Sequence, residues 1–187
     1  FNAGSFDLGV AGIRIMHDNN HADETALENN HNKTGFFFKG DLFIGIQSSY
    51  AFHFDDEMGR YFHEADAGVD YSFFAGRLFT ETLFYFNEAG ETDSDKYRVV
   101  TDSVFKARYY NYSSFSIVIS DFISTGMQSF VNICDYSYML IPSFRFQPAN
   151  AITLSLQGAY ISGTGSQEFN RSAGGEYSIF VRTEIIF

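Results

Sequence analysis

Hydrophobic and polar residues alternate with a two-residue period along much of this chain, most cleanly at its end. Over 175–187, Tyr177, Ile179, Val181, Ile185 and Phe187 fall on one face with Thr183 the one polar member. Glu176, Ser178, Arg182 and Glu184 share the other face with Phe180 and Ile186. Successive side chains of a strand leave opposite faces, so this period predicts β-structure. Reading back from there, turn chemistry separates about ten such segments. They span roughly 5–16, 34–39, 41–54, 61–74, 77–87, 97–110, 114–123, 129–146, 151–162 and 175–187. Pro142 interrupts the eighth and is expected to mark a bulge, because proline cannot donate to the ladder. Connections near 40, 75, 112 and 148 read as short, and those at 17–33, 55–60, 88–96 and 163–174 as long and polar. The connection at 124–128 is short although its place in the alternation belongs to the long class.

An apolar row backed by a charged row suits a strand with lipid on one side and a polar interior on the other. Alternate hydrophobic positions Tyr177, Ile179, Val181 and Ile185 leading to a final Phe187 resemble the terminal assembly signal of bacterial outer-membrane β-barrel proteins. The resemblance implies an all-β fold: an antiparallel up-and-down transmembrane β-barrel of about ten strands. It would form one domain over 1–187, closed by pairing 175–187 with 2–16. It also implies a bacterial outer-membrane location, with both termini periplasmic and the longer loops extracellular. Outer-membrane lipid, lipopolysaccharide, the barrel-assembly machinery and other envelope proteins are the partners it implies. A soluble barrel with an apolar interior gives the same period. Favouring the membrane reading, Phe52, Phe54, Phe84, Phe86, Tyr160 and Tyr177 lie near one predicted boundary, and Tyr71, Phe73, Tyr109, Phe144 and Phe187 near the other, as two girdles would.

Composition narrows the classes. The chain carries 23 Phe and 12 Tyr but no Trp, and no apolar run long enough for a spanning helix. It opens on Phe1 without Met or a recognisable secretory signal, which reads as a processed or trimmed start. A single cysteine, Cys134, excludes an internal disulfide, and its segment places it outward as a small lipid-facing residue. The net charge of −11 argues against nucleic acid.

The inward row holds the candidate chemistry. Glu64, Asp66 and Asp70 precede Arg77 and Glu81, then Arg98, Asp102, Lys106 and Arg108, with Arg145, Arg182 and Glu184 further on. Such charges either line a narrow permeation path or pair with one another and fill the interior. The expected function is therefore a small porin or channel-like protein with a narrow or self-plugged charged lumen, not an enzyme. One alternative is a structural or interaction barrel, a subunit of a larger envelope complex. Another is a surface hydrolase built on His53, Asp55, Asp56 and His63, a cluster faintly similar to the carboxylate–histidine mouths of ten-stranded surface proteases. No catalytic residue, cofactor or metal ligand is assigned. The donor-rich run from His17 to Glu24 departs from the helix–loop–helix calcium pattern at Ala22 and Asp23.

Overall fold

The computed structural model describes residues 5–15, 31–41, 44–55, 60–97, 106–149, 152–170 and 177–185. The first five strands are β1 (Ser5–Ile15), β2 (His31–Asp41), β3 (Gly45–Asp55), β4 (Arg60–Phe73) and β5 (Leu78–Asn87). They are followed by β6 (Tyr109–Ser120), β7 (Ile123–Asn132), β8 (Tyr138–Ala149), β9 (Ile152–Ile161) and β10 (Tyr177–Ile185). All ten form one sheet in sequential order, and every neighbouring pair runs antiparallel. The one described helical piece is a single 3-10 turn, Ser94–Lys96. Among the described residues no helix is long and apolar enough to cross a membrane.

The strand count agrees with the alternation, but three boundaries do not. Residues 106–108 belong to the β5–β6 connection rather than to a strand over 97–110, and 98–105 lie outside the described residues. The polar run around Asn111 to Ser114 reads as a turn, yet β6 passes straight through it. Its side chains are stitched to the neighbouring strand: Asn111 Nδ2 donates to Thr82 Oγ1 at 3.1 Å and to the Leu83 carbonyl at 3.2 Å, and Ser113 Oγ lies 3.0 Å from Thr82 Oγ1. Cross-strand hydrogen bonds of this kind favour the ladder over the local turn. The stretch 129–146 is instead cut in two. Asn132 Oδ1 accepts from the Cys134 amide at 2.9 Å and Asp135 Oδ1 from the Ser137 amide at 2.7 Å, two local bends of the sort short polar side chains make. Cys134 therefore stands in a turn, not on an outward strand position.

With these boundaries the anomalous short connection moves from 124–128 to 133–137, between β7 and β8, and stays short. The short connections 42–44, 74–77, 121–122 and 150–151 all fall at one end of the sheet, and the β5–β6 and β9–β10 connections, each well over ten residues, fall at the other together with the shorter β3–β4 and β7–β8 connections. Pro142 causes no bulge, since the pairing of β8 with β9 keeps one register from Leu140↔Tyr160 to Ser143↔Gln157. The register shifts between Phe146 and Ala149, beside Pro148.

One face is apolar and continuous across the strands: Leu78, Ile117, Thr125, Phe144, Leu156 and Val181 form one register row, and Phe36, Tyr50, Ala65, Phe86 and Tyr109 another. Tyr109 thus belongs to the long-loop end, its ring 5.7 Å from that of Phe86, and not to the short-turn end where the sequence reading put it. The opposite face is polar and carries the better-buried side chains. Asn87, Asn132, Ser137 and His53 are buried, whereas Ala107 and Tyr110 are the buried hydrophobic residues among those described. Leu8, Val10, Ile179 and Val181 are each more than two-thirds exposed or close to it. Polar residues inside and apolar residues outside reverse the usual arrangement of a water-soluble domain.

The expected closure of the last strand onto the first does not occur. β1 and β10 are the two edges of the sheet and among the described residues no pairing joins them, so the fold is an open ten-stranded meander rather than a closed barrel. Unlike interior strands, each edge strand has one side of its ladder unmatched, the physical reason that its side chains are the most exposed.

The β4–β5 turn holds Phe74 at φ 52° and Ala75 at φ 55° ahead of Gly76 at φ 85°. Left-handed backbone is costly for any residue with a Cβ. Ala75→Gly is expected to raise stability by about 0.5–1 kcal/mol after allowance for glycine's greater chain entropy. Chemical denaturation checks this, and an unchanged or lowered midpoint would refute it.

Candidate functional site

The polar face brings most of the sequence-predicted charges onto β3, β4 and β5. At the long-loop end Glu64 of β4 receives Lys33 Nζ of β2 at 2.9 Å, and His53 Nε2 of β3 lies 3.1 Å from the same oxygen. His53 stacks on Phe62 with ring centroids 4.3 Å apart, which fixes its plane. One strand position further in, Asp66 accepts the Ser49 amide at 3.1 Å and the Ser49 hydroxyl. Deeper still, Glu81 accepts from Gln47 Nε2 at 2.7 Å and from Ser114 Oγ at 3.3 Å. Gln47 is opposite Gly68, which has no side chain, and reaches diagonally across β4 to Glu81, two residues from Gly68's partner Leu83. Asp70 stands directly opposite Glu81, and its carboxylate fills the space over Gly45, where a Cβ would meet Oδ2 at 2.3 Å. Like charges facing each other across a ladder are unfavourable, which makes this the most anionic part of the face.

The remaining predicted positions are more scattered. Arg77 lies in the β4–β5 turn, where its carbonyl accepts the Val118 amide at 2.7 Å. Lys106 and Arg108 sit on the β5–β6 connection, with Arg108 Nε donating to the Gly90 carbonyl at 3.0 Å. Arg145 and Arg182 both stand opposite Ser155, on β8 and β10, and Glu184 is opposite Thr153. Arg98 and Asp102 lie outside the described residues, as do Phe187 and the run from His17 to Glu24. The four described strand positions of the proposed assembly signal, Tyr177, Ile179, Val181 and Ile185, alternate along β10 opposite Tyr160, Gly158, Leu156 and Ile152.

The histidine cluster divides between the two faces. His53 points to the polar side, whereas His63 shares the apolar-face row with Phe52, its Nδ1 bonded to the Tyr50 hydroxyl and its Nε2 3.7 Å from Glu88. The two imidazoles therefore do not converge on one reacting centre. Among the described residues no group of three or more His, Cys, Asp or Glu is placed to hold a metal ion. On the apolar face a groove of about 490 Å³ runs over Ser48, Ala65 and Ala67, between banks formed by Phe36 and Tyr50 and by Phe84 and Phe86.

A second polar cluster, not anticipated from the sequence, ties the long loops together. Glu168 of the β9–β10 loop accepts from the Lys106 amide and from Asn132 Nδ2, both at 2.9 Å, and from the Tyr110 hydroxyl. Asn132 also donates to the Tyr97 hydroxyl at 2.9 Å, and burial raises that hydroxyl above the usual tyrosine range. Nearby, Asp93 caps the 3-10 turn; the Asp95 amide, followed by Lys96, holds its carboxyl below the ordinary range. The alternation reads Asn132 and Asp135 as residues of a strand over 129–146, and nothing local to Glu168 marks it as their distant partner.

No family model, curated protein or solved structure matches this chain.

Proposed function

We propose that this chain is an integral protein of the bacterial outer membrane, with its apolar face against lipid and its polar face along a narrow, charged path of the porin or channel kind. The observation that carries the reading is the inverted distribution of polarity: buried Asn87, Asn132 and His53 on one face, and exposed Leu8, Val10, Phe84, Ile179 and Val181 on the other. Exposed apolar surface continuous over many strands needs a covering, and hydrocarbon is the covering that fits a regular antiparallel sheet with short turns at one end. The resemblance of the last strand to the outer-membrane assembly signal points the same way. In a bilayer unpaired backbone groups are costly, so the reading requires β1 and β10 to be paired in the membrane state. Lipid, lipopolysaccharide and the assembly machinery are then the partners.

The carboxylates Glu64, Asp66, Asp70 and Glu81 would give the path a preference for cations. Planar-bilayer recording tests this: the protein is expected to conduct with cation preference, and Asp66→Asn with Glu81→Gln to move the reversal potential toward neutrality. Absent conductance, or a reversal potential indifferent to the double substitution, would sink the channel reading. A second reading, a wall or interaction subunit of a larger envelope assembly, is favoured by the two free edges, which offer ladders to other strands. Isolation from native membranes as part of a larger complex would support it.

A further inference from the structure

The carboxylate of Glu168 is held by side chains of other elements that the register places on the polar face. Tyr110 of β6 pairs with Asn132 of β7 and with Tyr85 of β5, which in turn faces Asp66, so all four share that face. From its loop after β9, Glu168 therefore crosses over β8 to reach β6 and β7. The loop makes several further bonds to other elements. The Glu168 amide donates to Asp135 Oδ2 at 2.9 Å, Gln167 Nε2 to the Asp135 carbonyl at 2.5 Å, and the Phe169 amide to Ser137 Oγ at 3.2 Å. Ser166 Oγ donates to Asp95 Oδ1 at 2.9 Å, which brings in the β5–β6 connection. Within the loop, the Gly163 amide closes on the Phe169 carbonyl at 2.8 Å. The Tyr110 hydroxyl that donates to Glu168 also accepts the Ala107 amide at 2.6 Å, so it is held from both sides. A half-buried carboxylate with donors from three separate segments favours one arrangement, because any displacement breaks several charge-assisted hydrogen bonds at once.

We propose that residues 164–170 form a latch that closes the long-loop end of the polar face over β6, β7 and β8, with Glu168 as the group that holds it shut. The inference rests on the channel reading above. On that reading the latch narrows the mouth of the path on its β6 to β8 side. Releasing Glu168 widens it.

Two variants test the latch: Glu168→Ala, and Tyr110→Phe, which removes one hydroxyl at constant shape and serves if the first fails to fold. Amide exchange at Glu168 and Phe169 is expected to accelerate several-fold in both, and single-channel conductance in planar bilayers to rise several-fold over the parent. Accelerated exchange with unchanged conductance, in protein that conducts, overturns the latch while leaving the channel reading intact. Exchange unchanged in Glu168→Ala overturns it as well, because the carboxylate would not then hold the loop. No conductance from parent or variants, in protein shown to be inserted in vesicles, overturns the channel reading and the gating role with it.

Discussion

Arginine at Met127 is expected to destabilise the protein in lipid vesicles by about 2–4 kcal/mol, the cost of a cation near the bilayer midplane if the apolar face meets lipid. Met127 lies in the middle of β7 on the apolar face, opposite Phe115 on one side and Pro142 on the other. Gln128→Arg, one residue along, directs the same charge to the polar face opposite Ser114 and Ile141 and is expected to cost little. The paired comparison matters because both substitutions introduce the same side chain at neighbouring positions of one strand, on opposite faces. Urea titration of protein folded into vesicles reads the difference. Equal stabilities for the two variants would mean that the apolar face does not meet hydrocarbon. Depth gives an internal check, since an arginine at Tyr160, close to the long-loop end of β9, is expected to cost only about 0–1 kcal/mol if that end lies at the interface.

Gly90→Ala is expected to cost about 3 kcal/mol, at the upper end of what overpacking incurs. A Cβ on Gly90 would meet the Ala107 carbonyl oxygen at 2.1 Å, its carbon at 2.4 Å and the Arg108 nitrogen at 2.7 Å, all backbone atoms. No side-chain rotation relieves that contact. The strand-like bridge beside it, in which the Glu91 amide bonds the Lys106 carbonyl at 3.0 Å and the Arg108 amide the Glu91 carbonyl at 3.0 Å, has to separate. Faster amide exchange at Glu91 and Arg108, with β1 to β4 unaffected, is the expected signature. Protection at those two amides equal to the parent would show that the connection has room that its geometry denies.

The sequence made the sheet legible because its signal is local and repeats. Alternation at Ile46–Phe54 or Leu78–Phe86 needs only the pleat to be read, and it placed Glu64, Asp66, Asp70 and Glu81 on one face correctly. Legibility ended where polar residues decide between turn and strand. Asn111 and Ser113 spend their hydrogen bonds on Thr82 and Leu83 of the neighbouring strand and stay extended, whereas Asn132 and Asp135 spend theirs on amides two residues ahead and bend the chain. Both stretches carry short polar side chains, and what differs is the partner they bond. The strand total survived because the segment lost before Tyr109 was matched by the division of 129–146 into two. For the same reason Lys106 and Arg108 were read as strand residues although they belong to a loop, and Glu168, the centre of the loop cluster, carried no local sign of its role.

The ladder and the latch also differ in how their contacts are reached in time. Each strand pairs with its neighbours along the chain, so the sheet can be assembled hairpin by hairpin with modest loop-closure entropy at every step. The contacts of the latch join residues much further apart: Asn132 and Glu168 by 36 positions, Tyr110 and Glu168 by 58, and Ser94 and Ser166 by 72. They come together only after β6 to β9 have already been zipped, which shortens the effective loop that has to be closed. The order of folding therefore runs from the strands to the loops, and a chain that has completed its sheet still passes through a state in which the polar face is formed and the β9–β10 loop is not yet docked on it.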